Sequence, residues 1–345
     1  MILKNGRKVT NGCEPYIVAE LNSSHNGKMD TAKEMITAAK ACGCDAVKFQ
    51  SWSAESLYCR DYYDRNPISK RMVSRFSLKP EELLTLAQYS KSVGIDFSST
   101  PYSNEEVDFL VDQCQAPFVK IASMDINNLP YLRYVAKKSV PIVLSTGMAS
   151  IEEIDRAVKE IESADNQDIC ILHCVSIYPV EPHNVNLRNM VMLRDKFPDY
   201  AVGYSDHTLG CQTACAAVAL GAAVIEKHFT LDNKKIGWDN QMATDSDGMD
   251  ELVKNCHMVH SALGSYERVV SSDELEQREK MRRSLVAAVD MGKGHVIAEE
   301  DFTAKRPGDG IPVDQYKRII GKILTKNVQK DQKILDEYLQ ERGSE

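Results

Sequence analysis

No stretch of 18 or more apolar residues occurs in this chain, so its sequence predicts no membrane-spanning helix. The opening residues, Met1-Ile2-Leu3-Lys4-Asn5-Gly6-Arg7, lack an apolar core of the length a secretory signal needs. Positive charge is in short supply. Against 50 Asp and Glu stand 42 Lys and Arg, and the net charge of -8 leaves no electrostatic footprint for nucleic acid. The ten cysteines form no CxxC pair, which removes the usual signature of a structural zinc site. Cys170 and Cys174 flank an apolar run, and Cys211 and Cys215 stand four apart on a helical stretch, positions suited to small buried thiols. Without a secretion signal, all ten are expected to be reduced thiols of a cytoplasmic protein. Internal repeats and low-complexity tracts are missing too.

What is present is a regular alternation. Short β-rich runs at 16–19, 46–49, 95–98, 118–121, 142–144, 169–173, 201–203 and 223–226 alternate with helical patterns, among them 31–41, 80–93, 104–113, 129–137 and 151–162. Eight such pairs read as parallel βαβ units. Their span of about 260 residues suits a (β/α)8 TIM barrel, assigned here to residues 1–264. A doubly wound open sheet is the alternative, but it gathers polar groups at one switch point, whereas here they follow nearly every strand. A charged linker over 265–283 leads to a compact β-rich module over 284–345. About 60 residues is marginal for independent stability, so this module is expected to dock on a barrel.

The strand ends carry the functional signal. Glu20 follows the first strand, Lys48 and Gln50 close the second, and Thr100 follows the third. Lys120 and Ser123 follow the fourth, Ser145 the fifth, Ser176 and Tyr178 the sixth, Ser205 and His207 the seventh, Glu226 and His228 the eighth. In a barrel these positions converge on one mouth. Any one of them could instead cap the next helix; their recurrence after eight strands is the signal.

His207 and His228, separated by a predicted helix over 209–221, would project from adjacent strands. Two imidazoles are too few for a closed zinc site. They suit a catalytic Mn²⁺, Mg²⁺ or Zn²⁺ with positions left for water and substrate oxygen, although a hydrogen-bonded core histidine is the other reading of each. Their neighbours Asp206 and Glu226 are expected to be hydrogen-bond partners of the imidazoles. Lys48 and Lys120 lie within apolar strands. With Ser123, Ser145, Thr146, Gly147 and Ser205 they form a set able to neutralise and hydrogen-bond a phosphate dianion. The Ser145-Thr146-Gly147 run also reads as a plain helix start. Glu20 could relay protons.

Together these residues resemble the sialic acid synthase family, which comprises N-acetylneuraminate synthase and relatives making legionaminic, pseudaminic and other nonulosonic acids. The resemblance spans essentially the whole chain. Its motifs include Val47-Lys48-Phe49-Gln50, Ser99-Thr100-Pro101-Tyr102, Lys120-Ile121-Ala122-Ser123 and Leu144-Ser145-Thr146-Gly147-Met148. Most specific are Ser205-Asp206-His207-Thr208 and Glu226-Lys227-His228-Phe229-Thr230-Leu231-Asp232. The tail, with Lys305-Arg306-Pro307-Gly308, is similar to that family's C-terminal antifreeze-like (SAF) module.

The resemblance implies a metal-dependent condensation of phosphoenolpyruvate with an N-acylated hexosamine, either N-acetylmannosamine or a diacetamido-dideoxyhexose, and water. The products would be a nonulosonic acid and phosphate. By the same resemblance His207 and His228 hold Mn²⁺ or Mg²⁺, and Glu20 handles protons. Lys48, Thr100, Lys120, Ser123, Ser145, Ser176 and Ser205 bind phosphoenolpyruvate; Gln50, Tyr178, Glu226 and Asp239 contact the sugar. Arg306 reaches the acyl amide from the partner protomer of a domain-swapped homodimer. A synthase for another aldose, or a silent sugar-binding relative, are the alternatives. The intact set of Glu20, Lys48, Lys120, His207 and His228 speaks against the silent one, since a silent relative need not retain buried charges that cost free energy. The chain departs from the family at Gly237-Trp238-Asp239-Asn240, at Ser176, at Asp125 and across the Tyr- and Arg-bearing segment 52–78, changes that concern the sugar side more than the phosphate side.

Overall fold

The structure is a computed structural model that describes residues 1–235, 237 and 240–343. It contains two compact units, Met1–Gly264 and Ser265–Glu345. In the first, eight parallel strands follow one another in the order β3-β2-β1-β8-β7-β6-β5-β4. They are β1 Tyr16–Glu20, β2 Ala46–Gln50, β3 Asp96–Thr100, β4 Val119–Ile121, β5 Ile142–Ser145, β6 Ile169–Cys174, β7 Ala201–Asp206 and β8 Val224–His228. That cyclic order, with helices such as Met29–Ala41, Pro80–Val93, Ile151–Glu162 and Ser246–Leu263 between and after the strands, is a (β/α)8 barrel. The sheet curls until β3 faces β4. There Ser98 Oγ donates to the Phe118 carbonyl at 2.7 Å, and among the described residues no backbone ladder joins the two strands.

Alternation along each strand sorts side chains to two sides. Outward residues such as Ile17, Ala19, Val47, Phe49, Ile121 and Leu144 pack with the helices in the main core. Inward residues Tyr16, Val18, Ala46, Phe118, Val143, Leu172 and Val224 fill the lower barrel, plugged by Leu3 and Val9 of the N-terminal bridge. Gly203 belongs to this crowded layer: a Cβ there would lie 2.6 Å from the Val224 carbonyl oxygen and 2.7 Å from Leu172 Cδ2. Above that layer the interior turns polar, with Glu20, Lys48, Lys120, Ser145, Ser205 and Glu226 all buried.

The observed strands run one to three residues beyond most of the predicted ends. Glu20, Thr100, Ser145 and His228, read from sequence as following their strands, are ladder residues, and Gln50 and Asp206 end their strands. The predicted helix over 104–113 is α-helical at Asn104–Asp108 and widens to a π turn over Phe109–Gln113.

In the second unit, β9 Ser284–Ala287 pairs antiparallel with β10 Phe302–Lys305, and β11 Ile323–Leu324 with β12 Leu339–Gln340. Leu285, Met291, Ile297, Ile319, Leu324 and Ile334 give it a core of its own. Part of the stretch read as a linker is a helix, Ser272–Met281. Ser271 caps it by accepting from the Glu274 N–H at 3.1 Å, and none of its residues is buried, so no apolar stripe betrayed it. Among the described residues no helix is long and apolar enough to cross a membrane.

Gly203→Ala should destabilise the first unit by about 1–3 kcal/mol, the range for overpacking a filled interior. A urea midpoint unchanged from that of the parent chain would show that the layer can yield.

Candidate active site

Strand register gathers the charges at the C-terminal end of the barrel. Glu20 pairs in the ladder with Lys48 on one side and His228 on the other, and Ser205 pairs with Glu226. The side chains then meet across the interior. Lys48 Nζ forms an ion pair with Glu20, lies 3.8 Å from Glu226 and donates to Thr100 Oγ1 at 3.0 Å. Lys120 Nζ lies 3.7 Å from Glu226 and donates to Ser145 Oγ at 2.5 Å. Ser205 Oγ donates to Glu226 Oε1 at 2.9 Å. Two ammonium groups and two carboxylates thus share one buried floor.

Burial costs each of these ions several kcal/mol, so the floor is an expensive element kept in spite of folding energetics. Burial pulls the Lys48 ammonium down to about 7, and Lys120 adds to this while Glu226 opposes it. For Glu226, burial pushes upward but is outweighed by Lys120, Lys48 and the Ser205 hydroxyl, which hold the carboxyl at about 2. Glu226 is therefore an anion throughout the neutral range.

Three loops meet beside the floor. The Gly147 N–H points at Ser123 Oγ, 3.0 Å away, and at Cys174 Sγ, 3.1 Å away. A side chain at Gly147 would collide with the hydroxyls of both Ser123 and Ser176, so only glycine lets the loops after β4, β5 and β6 come this close.

His207 and His228 face each other with ring centroids 5.4 Å apart. Nδ1 of His207 must donate to the Val175 carbonyl at 2.7 Å, which leaves the lone pair on Nε2, the nitrogen 3.5 Å from Ser205 Oγ. Burial lowers both imidazoles below their ordinary range, and for His228 the neighbouring His207 and Lys48 lower it further. Neutral rings, one with a fixed tautomer, fit a divalent cation. Among the described residues no cluster of three His, Cys, Asp or Glu side chains completes a cage, so such an ion would keep positions for water or substrate. Tyr178 lies against the pair, 4.2 Å from the His207 ring and 5.8 Å from that of His228.

All of these groups open into one cavity of about 380 Å³. A larger recess of about 520 Å³ at the other end, around Ile95, Phe97 and Ala116, gathers no comparable buried charge. Residues 35–268 match the model of the NeuB family, and residues 282–339 match the SAF domain. The chain belongs to the NeuB family. It is 35% identical over 356 residues to the N,N'-diacetyllegionaminic acid synthase of Legionella pneumophila, covering 97% of this chain and 99% of that protein. It is 34% identical over 337 residues to the human N-acetylneuraminate-9-phosphate synthase, covering 95% and 93%. The structure is similar to that of the N-acetylneuraminic acid (sialic acid) synthetase from Leptospira borgpetersenii serovar Hardjo-bovis in complex with citrate, with TM-score 0.73 and 30% identity, covering 80% of this chain and 94% of that one.

Of the residues that the NeuB-type resemblance implicates, Glu20, Lys48, Gln50, Thr100, Lys120, Ser123, Ser145, Ser176, Tyr178, Ser205, His207, Glu226 and His228 all line the cavity. Asp239, with Trp238, lies outside the described residues. Arg306 is exposed in the second unit. Glu226, which the resemblance sets against the sugar, stands between the two lysines on the floor.

Trp52 and Leu57 of the segment 52–78, Met148 of the Ser145-Thr146-Gly147 motif, and Met124 also line the cavity, although none of them was assigned a role from sequence. Trp52, with Ala54, Tyr63, Val73 and Phe76, forms a small separate core that holds the helices Ala54–Leu57, Arg60–Arg65 and Pro67–Phe76 above β2. The length of the segment between the second strand and the next predicted helix was the available clue.

One expectation fails. Asp206 is not a partner of His207: it points to the outside of the sheet, where Lys227 donates to it at 2.8 Å. Lys227 also donates to the carbonyls of Thr208, 2.5 Å away, and Gly210, 3.0 Å away, and Asp206 accepts from the Thr208 N–H at 2.8 Å. Alternation dictates this, because the residues between Ser205 and His207 and between Glu226 and His228 must face the other way. This buried pair fastens the loop after His207 to β8. Lys227→Met should cost about 3–5 kcal/mol by leaving the Asp206 carboxylate buried and unpaired. A loss smaller than that of a surface Lys→Met control in urea unfolding would show that the pair does not anchor the loop.

Proposed function

We propose that this protein condenses phosphoenolpyruvate with an N-acylated hexosamine and water, releasing inorganic phosphate with C–O cleavage and giving a nonulosonic acid. The observation that carries the reading is the buried floor. Lys48 and Lys120 stand there beside the hydroxyls of Thr100, Ser145 and Ser205, in a family whose members include the named synthases above. A phosphate-bearing anion would exchange carboxylate partners for its own oxygens on both ammonium groups, with the hydroxyls, Ser123 and Ser176 completing its hydrogen bonds.

The bonds balance simply. C3 of phosphoenolpyruvate bonds to the acceptor's aldehyde carbon, whose oxygen gains a proton. Water adds to C2 and loses a proton, and departure of phosphate leaves the keto acid. Glu20, ion-paired to Lys48 and hydrogen-bonded by the Asn22 N–H at 2.8 Å, is the group placed to accept and return protons beside the reacting carbons. Gln50, oriented by the Tyr102 hydroxyl at 3.2 Å, and Tyr178 offer polar contacts to the sugar. A divalent cation, Mn²⁺ or Mg²⁺, held by His207 and His228 would supply Lewis-acid polarisation of the aldehyde oxygen. The active unit proposed with this reading is a homodimer in which Arg306 of one protomer serves the acceptor bound by the other.

Phosphate release from phosphoenolpyruvate should require both an N-acylated hexosamine and added Mn²⁺ or Mg²⁺, and should stop on chelation. Folded protein that releases none with any such acceptor would favour the silent sugar-binding alternative. Lys120→Met should lower kcat/KM by about 10²–10³, the range for losing one electrostatic donor to developing charge. His207→Ala and His228→Ala should each abolish turnover and weaken cation binding by calorimetry; undiminished cation binding would make the histidines structural. Mixing the Arg306→Ala and Lys120→Met proteins under subunit exchange should restore part of the activity, and no recovery would place Arg306 in the service of its own barrel or of none.

A further inference from the structure

We infer that the recess of about 520 Å³ at the far end of the barrel is a second ligand site, and that a small carboxylate with an apolar body, bound there, weakens the hold of the floor on phosphoenolpyruvate. The second half of this rests on the synthase reading above. The recess has the size that small ligands fill. It lies where the sheet is not closed. Ile95 and Phe97 on the β3 side and Ala116 and Pro117 on the β4 side line its base, with Ala87 and Val111 on the helical segments flanking β3. That base is apolar and largely buried. At the rim stand Lys4 and Lys91, both exposed, and neither forms an ion pair with a described residue. Asp96 is the one carboxylate among the described lining residues, and the Tyr16 hydroxyl and the Asn5 side-chain amide both donate to it at 2.7 Å. An apolar base beneath two uncommitted ammonium groups suits an anion that keeps its carboxylate at the rim while its hydrocarbon leaves water.

One wall of the recess adds a second observation, because it is irregular. The helix after β3 widens into the π turn Phe109–Gln113, and the Cys114 N–H reaches back to the Phe109 carbonyl at 3.1 Å. Gln115 then sits in the left-handed region at φ 51, where side chains other than Gly, Asn and Asp are uncommon. Val111, Cys114 and Gln115, all from this stretch, line the recess. A widened turn and a left-handed residue both cost stability, and such features gather at functional sites.

The seam supplies the coupling. Ser98 Oγ donates to the Phe118 carbonyl, and these two residues directly follow Phe97 and Pro117 of the recess. Two residues further along the same strands stand Thr100 and Lys120 of the floor, a rise of about 7 Å. Among the described residues no ladder resists a body wedged between the β3 and β4 sides. Such a body pushes apart the Lys48–Thr100 and Lys120–Ser145 pairs, which on the synthase reading grip one anion between them.

The probes are 1-naphthylacetate and its neutral amide, each titrated into the full-length protein by calorimetry. The carboxylate should bind at one site, about three-fold or more tighter than the amide, as two exposed charge contacts allow. Reversing both cations, Lys4→Glu with Lys91→Glu, should remove that preference. Ala87→Leu, which fills the recess, should weaken both probes, and each variant is checked for an unchanged melting temperature. Lys120→Met protein should bind the probes as the parent does. With naphthylacetate saturating, the Kd for phosphoenolpyruvate should rise about five-fold or more, and phosphoenolpyruvate should weaken naphthylacetate by the same factor, since coupling between sites is reciprocal. Absence of saturable binding, binding indifferent to the Lys4, Lys91 and Ala87 variants, or binding lost in Lys120→Met would overturn the site. An unchanged Kd for phosphoenolpyruvate would overturn the coupling and leave the synthase reading as it was. Phosphoenolpyruvate that fails to bind even alone would overturn the synthase reading, and the response of naphthylacetate to the recess variants would still decide the site.

Discussion

Everything at the mouth of this barrel depends on one arrangement, two ammonium groups and two carboxylates buried within salt-bridge range of one another. Lys48, Glu20, Glu226 and Lys120 come from four strands, and no single pair among them would survive alone in such a place. The set is balanced in charge, which explains how a barrel interior tolerates it. It also means that the charges of the floor are already solvated by one another. On the proposed reading, a substrate anion would meet two ammonium groups whose counter-ions are part of the protein, and its binding would be an exchange of partners in place of a simple neutralisation.

Below and outside this floor the rest of the barrel is arranged to hold it still. The apolar layer of Tyr16, Val18, Phe118, Leu172 and Val224 gives the charges a dry base. On the outer face of the same two strands that carry the histidines, the Lys227–Asp206 pair ties down the loop that begins at His207. Two ion clusters thus sit back to back across β7 and β8. The inner one has space beside it for a ligand; the outer one is closed by backbone carbonyls and threonine hydroxyls. Sequence neighbours in one motif serve binding and architecture by turns.

Much of this was legible beforehand. Eight alternations of strand and helix specify a barrel because each unit repeats the same hydrophobic period, and polar residues after every strand mark the working end. Glu20, Lys48, Lys120, His207 and His228 could be picked out because charge inside an apolar run is costly and visible. Asp206 was misplaced for the opposite reason: next to a histidine it looks like its partner, and only strand alternation reveals that it faces away. The helix Ser272–Met281 escaped notice because it buries nothing. Trp52, Leu57, Met124 and Met148 could not be found from chemistry, since apolar side chains in loops carry no sign of where they point.

The seam between β3 and β4 has a consequence for how the floor responds to a ligand. Lys48 and Thr100 belong to the staves on one side of that seam, and Lys120 and Ser145 to those on the other. Where every other join in the hoop is a run of peptide bonds facing one another, this one is fastened by the Ser98 hydroxyl. On the proposed reading, an anion held by both lysines would bridge the same gap from within, as the last rivet of the cask.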